Sequence, residues 1–412
     1  MKNHINLGLI GLSGRGLGLL SILNRMEDIT ISAVCDKYED RRELAAKKVE
    51  EATGIRPFST GNYKEVLALD EIDAIIIATS WADHVRIAID SMKAGKYVAS
   101  EVGGAYSIDE CWELVKTHEE TGIPCMMLEN CCYGREELMV LNMVKQGLFG
   151  EVVHCQGGYR HDLRDEITMG RENRHYRLAN YLHRNCENYP THALGPIAKI
   201  LNINRGNRML VLTSMASKAA GLHDYILREK GQDYDLSDYR FAQADIVTTV
   251  IKCAHGETIL LTLDTTLPRP YSRDFRVHGT KAMYMEENNS LFIDGVHNQF
   301  HYTWKKQWNN VEELRKKYDH PLWRNYNPSA NDGHGGMDYL VLRAFIDSVK
   351  RQVQTPIDVY DMASWMSISV LSEQSVAMGG HPVAIPDFTS GRWISREPAP
   401  EGKYCLAKVC EE

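Results

Sequence analysis

Long apolar runs and basic clusters are both missing from this chain of 412 residues. No stretch approaches the roughly 20 consecutive apolar residues that a membrane-spanning helix needs. The formal net charge is −8, and no segment is rich in Lys and Arg. These absences argue against a bilayer span, and they make nucleic acid and anionic membrane surfaces poor partners.

Closely spaced cysteine pairs are missing as well. Ten cysteines are present, but none forms a CxxC motif, so a zinc site or a thioredoxin-type redox site has no support. No other ligand spacing stands out, and we expect no metal. Cys35 and Cys155 lie in apolar strand patterns, which predicts buried free thiols. The N-terminus, "MKNHINLGLIG", has no signal pattern, so we expect a cytoplasmic protein. A secreted or periplasmic protein is the alternative if a signal segment has been removed.

The first part of the chain alternates short apolar runs with amphipathic segments. The runs, which predict strands, cover 5–11, 29–36, 73–79, 96–100 and 125–130, and helices are predicted at 82–94 and 107–121. Short buried strands alternating with helices are typical of a doubly wound parallel sheet. We therefore predict an α/β Rossmann domain over residues 1–130.

The pattern changes after about residue 150. Longer, partly alternating strands follow, with a hairpin turn at residues 253–256, and helices are predicted at 334–350 and 358–377. This predicts a second α/β domain over residues 131–412 with a large, mainly antiparallel sheet that has one exposed face. The stretch 300–333 is rich in aromatic residues and Asn, which is typical of a loop.

A glycine turn follows the first predicted strand. In "GLIGLSGRGLG", Gly11, Ser13 and Gly16 occupy the three positions of a GxGxxG motif, with Ser13 in place of the second glycine. Such a turn brings the N-terminus of a helix to a pyrophosphate. Asp36 ends the second predicted strand, where an acid binds the adenosine ribose hydroxyls and repels a 2′-phosphate. NAD is therefore favoured over NADP, although Lys37 argues the other way.

Two further strand ends carry a family resemblance. "ATSWADHVRIA" (78–88) and "YVASEVGG" (97–104) make the chain similar to the glucose–fructose oxidoreductase and inositol dehydrogenase family. Dehydrogenases of that family normally have Glu-Lys-Pro at the second strand end, and the lysine assists proton transfer. This chain has Val102 at the lysine position, which cannot carry a proton. A simple alcohol dehydrogenase is thereby put in doubt.

Longer motifs resemble one branch of that family. "ENCCYGREELMVLNMVKQGLFGEVVHCQGGYRHDLR" (129–164), "HRNCENYPTHALGP" (183–196) and "TLPRPYSRDFRVHGT" (266–280) are similar to glycoside hydrolase family 109, the NAD-dependent α-N-acetylgalactosaminidases. That branch also has Glu-Val at the strand end. Two residues depart from the pattern of this branch. One is Ser13, and the other is Gly103, where the branch usually has proline; neither change removes a reactive group.

The resemblance implies a hydrolysis that uses a recycled hydride. The hydroxyl on carbon 3 of the sugar is oxidised, the proton on carbon 2 is removed, the aglycone leaves carbon 1, water adds, and the hydride returns. Such a cycle needs groups that move protons at two positions, because no pair of carboxylates suited to ordinary glycoside hydrolysis can be assigned. The resemblance makes His192 and Tyr159 the catalytic candidates.

The same resemblance names the expected binding residues. For NAD, these are Ser13, Arg15, Gly16, Asp36, Trp81, His84, Glu101, Val102, Asn130 and Tyr189. For the sugar, they are Tyr159, Arg177, Tyr189, His192 and Tyr271. We expect His161 and Arg164 to be structural.

Three functions stay open on the sequence. The first is a glycosidase for terminal N-acetylhexosamine, most simply α-linked N-acetylgalactosamine, with a glycan or glycoside as its partner. The second is an NAD-dependent sugar or inositol dehydrogenase. The third is a non-catalytic NAD-binding regulator. Sheet faces in the wider family often form dimer interfaces, so a homo-oligomer is an open alternative.

Overall fold

A computed structural model of the protein describes residues 2–298, 304–396 and 402–409. The strands are Ile5–Ile10 (β1), Ile29–Cys35 (β2), Phe58–Thr60 (β3), Ala74–Ile77 (β4), Tyr97–Ser100 (β5), Cys125–Met127 (β6), Val152–Arg160 (β7), Met209–Ala216 (β8), Ile246–Cys253 (β9), Thr258–Asp264 (β10), Arg276–Gly279 (β11), Ala282–Met285 (β12), Ser290–Ile293 (β13) and Val383–Ala384 (β14). The α-helices are Gly14–Leu23 (α1), Glu39–Thr53 (α2), Tyr63–Leu67 (α3), Trp81–Lys93 (α4), Ile108–Thr121 (α5), Arg135–Lys145 (α6), Arg164–Thr168 (α7), Arg177–His183 (α8), Thr191–Ile200 (α9), Gly221–Glu229 (α10), Val311–Tyr318 (α11), Pro321–Arg324 (α12), Met337–Arg351 (α13) and Val359–Ala377 (α14).

The chain folds into two compact units. The first unit contains the described residues of Met1–Gly134, Pro321–Ala363 and Glu397–Glu412, and the second contains those of Arg135–His320 and Ser364–Arg396. The first break lies after Gly134. The return of 321–363 to the first unit differs from the continuous second domain that we expected. It follows from packing, because α13 carries a row of buried apolar residues that contacts α1 and β1.

The first unit is built on the predicted parallel sheet. Its strand order is β3-β2-β1-β4-β5-β6, and every neighbouring pair is parallel. The strands are buried on both faces, which explains their nearly continuous apolar sequences. The strand order reverses at β1, so the carboxyl ends of β1, β4 and β5 meet at the edge where such folds bind nucleotides.

Local signals set the ends of the helices that flank this sheet. Helix α5 begins with a capping box, in which Ser107 accepts from the Glu110 N–H and the Glu110 side chain accepts from the Ser107 N–H. It ends at Gly122, whose φ of +70° suits a residue without Cβ. Both ends lie within a residue of the predicted helix 107–121.

The second unit contains the predicted large sheet. Its order is β13-β12-β11-β7-β10-β9-β8-β14, and all pairs are antiparallel except β7 with β10. Strands β9 and β10 form the expected hairpin at 253–256, where Gly256 has a φ of +105°. Along β9, Val247, Thr249 and Ile251 are buried while the alternate residues are more exposed. This alternation is the signature of a sheet with one open face.

The structure corrects one assignment and adds an element. The stretch 300–333 is not a continuous loop, because α11 and α12 lie in it; residues 300–303 are outside the described ranges. Strand β3 was not predicted, because its three residues, Phe58 to Thr60, include a single apolar residue and form no apolar run. Cys35 and Cys155 are buried and form no disulfide, as expected. Among the described helices, none combines the length and the apolar character that crossing a membrane requires.

Candidate active site

The glycine turn of the first unit has the shape that a dinucleotide requires. Gly11 follows β1 with a φ of +97°, and a Cβ there would lie 2.4 Å from the carbonyl carbon of Ala78. A Cβ on Gly16 would lie 2.0 Å from the Gly11 oxygen. A Cβ on Gly14, in contrast, would have no described atom within 4 Å outside its own turn, so this position faces open space.

Ser13 is the N-cap of α1 and has an extended backbone. Its side chain makes no capping hydrogen bond, so the first N–H groups of the helix are not blocked by it. No acidic residue stands in the first turn of α1, so the positive end of the helix dipole is retained for an anion. These features fit a bound pyrophosphate.

Asp36 is held at the end of β2 by the backbone of the turn. Its carboxylate accepts from the N–H of Leu12 at 2.8 Å and from the N–H of Tyr38 at 2.9 Å. The residue is buried, with 8% of its surface exposed. Arg41 is 4.0 Å away, at the limit of an ion pair. The acid is therefore fixed beside the glycine turn, where the sequence predicted a ribose-binding group.

The ends of β4 and β5 bring Trp81 against Gly103. A Cβ on Gly103 would lie 2.7 Å from Cδ1 of Trp81, which explains why this chain has glycine there. His84, one turn further along α4, is buried, and its Nε2 lies 3.2 Å from the Thr79 oxygen. Burial lowers the pKa of His84 to about 4, so its ring is neutral near pH 7. Val102 is also buried.

Asp338 joins the same site from a distant part of the sequence. Arg15 donates to its carboxylate at 2.6 and 3.0 Å, and Asn130 donates at 2.7 Å. His334 lies 2.8 Å from it, and Glu101 is the second acidic partner of Arg15, at 2.8 Å. Burial raises the pKa of Asp338, but the hydrogen bonds and charges of His334 and Arg15 hold it well below its usual value.

Sequence reasoning missed Asp338 and His334. The signal that was available is the segment "GHGGMD" (333–338), where four successive residues, Gly333 to Gly336, have positive φ. A non-glycine residue in that conformation, here His334 at +43°, is uncommon and often marks a functional segment.

The second unit brings together most of the residues predicted for the sugar. Tyr159 and Tyr189 stack with ring centroids 4.1 Å apart, and His192 lies 5.5 Å from the first ring and 4.9 Å from the second. The Tyr189 hydroxyl is 3.5 Å from Nε2 of His192. We call Tyr159, His161, Arg177, Tyr189 and His192 the tyrosine–histidine cluster.

The close approach of α9 to β7 produces this arrangement. A Cβ on Gly157 would lie 2.7 Å from the Cβ of Ala193, so glycine is needed for the helix to pack on the strand. Tyr159 stands near the end of β7, and His192 is in the first turn of α9. Helix α9 begins at Thr191 after Pro190, so Tyr189 precedes the helix and does not share a helical face with His192.

Arg177 lies beside both tyrosine rings of the cluster. Its guanidinium lies 5.0 Å from the Tyr189 ring and 5.9 Å from the Tyr159 ring. Its Nε is 2.6 Å from Glu166. The residue is buried, which opposes its charge, yet these neighbours hold its pKa well above the usual value. A buried cation among phenol rings stabilises negative charge that develops nearby.

Tyr271 extends the cluster through His161, while Arg164 lies outside it. The rings of His161 and Tyr271 meet edge to face at 5.1 Å, and Tyr271 is 49% exposed. Arg164 pairs with Asp162 at 2.6 Å and packs on the Tyr225 ring. The structural role expected for Arg164 agrees with these contacts, whereas His161 lies among the candidate sugar-binding residues.

Glu187 is a buried acid that the sequence analysis did not single out, and it lies two residues before Tyr189 in the chain. Glu187 is 1% exposed, and neither of its carboxyl oxygens makes a hydrogen bond of normal geometry with the described residues. Burial raises its pKa to about 8, although the N–H groups of Tyr189 and Leu263 oppose this. The acid is therefore mainly uncharged near pH 7.

Comparison with protein families divides the chain as the sequence motifs do. Residues 5–128 match the model described as "Oxidoreductase family, NAD-binding Rossmann fold". Residues 133–395 match the model described as "Glycosyl hydrolase 109, C-terminal domain". Together the two matches cover nearly the whole chain.

Curated relatives agree with this division. An alpha-N-acetylgalactosaminidase of Tannerella forsythia is 40% identical over 96% of this chain and 88% of its own length. A glycosyl hydrolase family 109 protein of Stenotrophomonas maltophilia (strain K279a) is 40% identical over 97% of this chain and 93% of its own.

Solved structures share the fold at low identity. A levoglucosan dehydrogenase in complex with NADH and levoglucosan has a TM-score of 0.69 at 16% identity, covering 93% of this chain and 100% of that one. A myo-inositol 2-dehydrogenase from Lactobacillus plantarum has a TM-score of 0.66 at 16% identity, with the same coverage.

Proposed function

The chain belongs to glycosyl hydrolase family 109, and from this membership we propose that it is an NAD-dependent glycosidase that removes terminal α-linked N-acetylgalactosamine. The named relative from Tannerella forsythia supports the choice of substrate. The observation that carries the proposal is the tyrosine–histidine cluster, which places several proton-transfer groups around one buried arginine.

The dehydrogenase alternative is disfavoured at β5. Dehydrogenases of the wider family use a lysine at the position of Val102. Val102 is 5% exposed and has no titratable group. A chain that has lost this proton-transfer residue and carries proton-transfer groups elsewhere is suited to a different reaction.

Bound NAD would accept a hydride from carbon 3 of the sugar and later return it. Toward that cofactor, the turn Gly11–Gly16 and the first N–H groups of α1 would hold the pyrophosphate. Asp36 would accept hydrogen bonds from the adenosine ribose. Trp81, His84, Glu101 and Asn130 line the same strand ends and would orient the rest of the molecule.

Proton transfer falls to the second unit in this proposal. His192 would take the proton of the hydroxyl on carbon 3, because an unprotonated imidazole nitrogen can act as a general base. Tyr159 would act at carbon 2. Arg177 would stabilise the enolate charge and hold the sugar, with Tyr189 and Tyr271 as further contacts.

The test is to mix the purified protein with p-nitrophenyl N-acetyl-α-galactosaminide without added NAD. Release of nitrophenol with no accumulation of NADH is the expected result. In deuterium oxide, the released sugar should carry deuterium at carbon 2. Accumulation of NADH with free sugar would support a dehydrogenase instead. The matching α-glucosaminide serves as the epimer control, and faster cleavage of that compound would overturn the assigned substrate.

A further inference from the structure

A second phenol–imidazole pair lies beside the one that involves His192. The Tyr159 hydroxyl is 3.1 Å from Nδ1 of His161, and the two rings meet edge to face with centroids 5.7 Å apart. The residues are two positions apart at the end of β7, so both side chains point to the same face of the extended chain. The His161 N–H donates to the Asp264 oxygen at 3.0 Å, which fixes its backbone against β10.

The surroundings of His161 keep its ring available as a proton acceptor. Burial lowers its pKa first, and the charges of Arg177 and His192 lower it further. Glu166 and Asp162 act in the opposite direction. The ring is therefore neutral near pH 7, and Nδ1 can accept from the Tyr159 hydroxyl when the ring proton is on Nε2.

The two pairs meet through their phenols. The rings of Tyr159 and Tyr189 stack, with Tyr189 facing His192 and Tyr159 facing His161. The proposed reaction moves two protons from the sugar, one from the carbon-3 hydroxyl and one from carbon 2. With His192 assigned to the hydroxyl, one phenol–imidazole pair is left for carbon 2.

We propose that His161 is a positioning and proton-accepting residue that acts through Tyr159 in removing the carbon-2 proton. This inference rests on the proposed function. In the sugar oxidised at carbon 3, the carbon-2–hydrogen bond breaks and its proton passes to the Tyr159 oxygen. The phenolic proton of Tyr159 passes at the same time to Nδ1 of His161. The electron pair of the broken bond forms the enolate, whose charge Arg177 faces. Water addition reverses the proton movements.

The test uses His161→Asn, because the amide of Asn can occupy the position of Nδ1 and still hydrogen-bond to Tyr159 but cannot hold the proton. We measure the rate at which solvent deuterium enters carbon 2 of the glycoside and of the released sugar. Removing a general base slows such a step about 10²–10⁴-fold. NAD retention and the initial formation of bound NADH should remain, since these do not require the carbon-2 proton to leave.

A matched control is His154→Asn on the same strand. His154 is also partly buried with a lowered pKa, but its ring faces Thr258 at 2.8 Å and lies outside the cluster. The His154→Asn variant should exchange the hydrogen on carbon 2 for solvent deuterium at the wild-type rate. In the double variant Tyr159→Phe/His161→Asn, the loss of exchange rate should equal that of Tyr159→Phe alone, because the effects of residues that act as one unit are not additive. Additive losses would overturn the relay.

The pH dependence of the exchange rate gives a second readout, part of which is measured on the wild-type enzyme alone. The wild-type exchange rate should fall on acidification, in a limb below the usual imidazole range, because protonated His161 cannot accept. His161→Asn should lack this limb. A wild-type enzyme with no such limb, or a variant that exchanges at the wild-type rate, would refute the role of His161. A wild-type enzyme that releases no deuterated sugar at all would instead refute the proposed function.

Discussion

The carboxylate of Asp338 accepts two hydrogen bonds from the guanidinium of Arg15, 2.6 and 3.0 Å long, although 323 residues separate them in the sequence. Arg15 is in the first turn of α1, and Asp338 is in the first turn of α13. Residues 321–363 of the first unit are therefore tied to the glycine turn by an ion pair whose carboxylate is buried. This contact makes the segment part of the candidate cofactor site.

Replacing Asp338 with Asn should destabilise the first unit. The change preserves shape but leaves Arg15 with Glu101 as its remaining acidic partner. Removing one member of a buried pair costs about 3–5 kcal/mol, and because Glu101 remains we expect about 3 kcal/mol. Urea unfolding of the NAD-free protein measures this loss.

The control for Asp338→Asn is Asp28→Asn, which breaks pairs between Asp28 and two other residues of α13, Arg343 and Lys350. The side chain of Asp28 is 24% exposed, whereas that of Asp338 is 2% exposed, so breaking the pairs of Asp28 should cost only about 1 kcal/mol. Equal losses in the two variants would contradict the importance of the Arg15–Asp338 pair.

Replacing Asp36 with Ala should weaken NAD binding. A hydrogen bond to a charged group contributes about 1.5–3 kcal/mol, so the dissociation constant should rise roughly 10- to 150-fold. The carboxylate also accepts from the N–H groups of Leu12 and Tyr38, so Asp36→Asn, which keeps one acceptor oxygen, should bind NAD with intermediate affinity. Titration calorimetry with NAD separates the three proteins. Unchanged affinity in Asp36→Ala would remove this residue from the cofactor site.

Periodicity and turn chemistry made most of the first unit predictable. Five of its strands follow from short apolar runs. The glycine turn is visible in the sequence because the fold requires glycine at Gly11 and Gly16, where a Cβ would clash with backbone atoms. The exception is β3, which shows no strand pattern in the sequence and forms only because its backbone pairs with β2. Local patterns therefore predict the sheet but not its edge strand β3.

Long-range contacts account for what the sequence did not reveal. Asp338 lies on a helix whose apolar pattern predicts burial but not the surface that it packs against. Likewise, the sequence around His161 is compatible with either a surface ion pair or a hydrogen bond to Tyr159, and only the folded chain shows the hydrogen bond. The family resemblance supplied the tyrosines and His192, and geometry then added His161.

Replacing His192 with Ala should abolish hydrolysis while leaving bound NAD in place. Loss of a general base costs about 10²–10⁴ in rate, and no residue of the glycine turn or of β2 is altered. The rate of nitrophenol release and the NAD content after denaturation measure the two effects separately. His223→Ala, on α10 of the second unit, is a control that should retain wild-type rate. Normal turnover in His192→Ala would refute its assigned role.

The buried carboxyl of Glu187 should make stability depend on pH. Its folded pKa of about 8 lies above the value of about 4.3 expected for an unfolded chain, because burial favours the neutral form. Between these two values the folded protein holds a proton that the unfolded chain has released, so stability falls as pH rises and the contribution is lost above about 8. Glu187→Gln replaces the acid with a neutral amide of the same shape. Its stability relative to wild type should increase between pH 5 and 8, by at most about 1.4 kcal/mol per pH unit, and then level off.

Urea unfolding at a series of pH values measures this difference. Glu51→Gln, which alters an exposed residue of α2, should follow the wild-type curve at every pH. A difference between Glu187→Gln and wild type that does not change with pH would mean that Glu187 is ionised in the folded protein. In that case a cation or a set of donors would have to compensate its charge, whereas the N–H groups of Tyr189 and Leu263 alone do not bring its pKa down to the ordinary range. The pH series therefore tests directly whether Glu187, two residues before Tyr189, is uncharged in the folded protein.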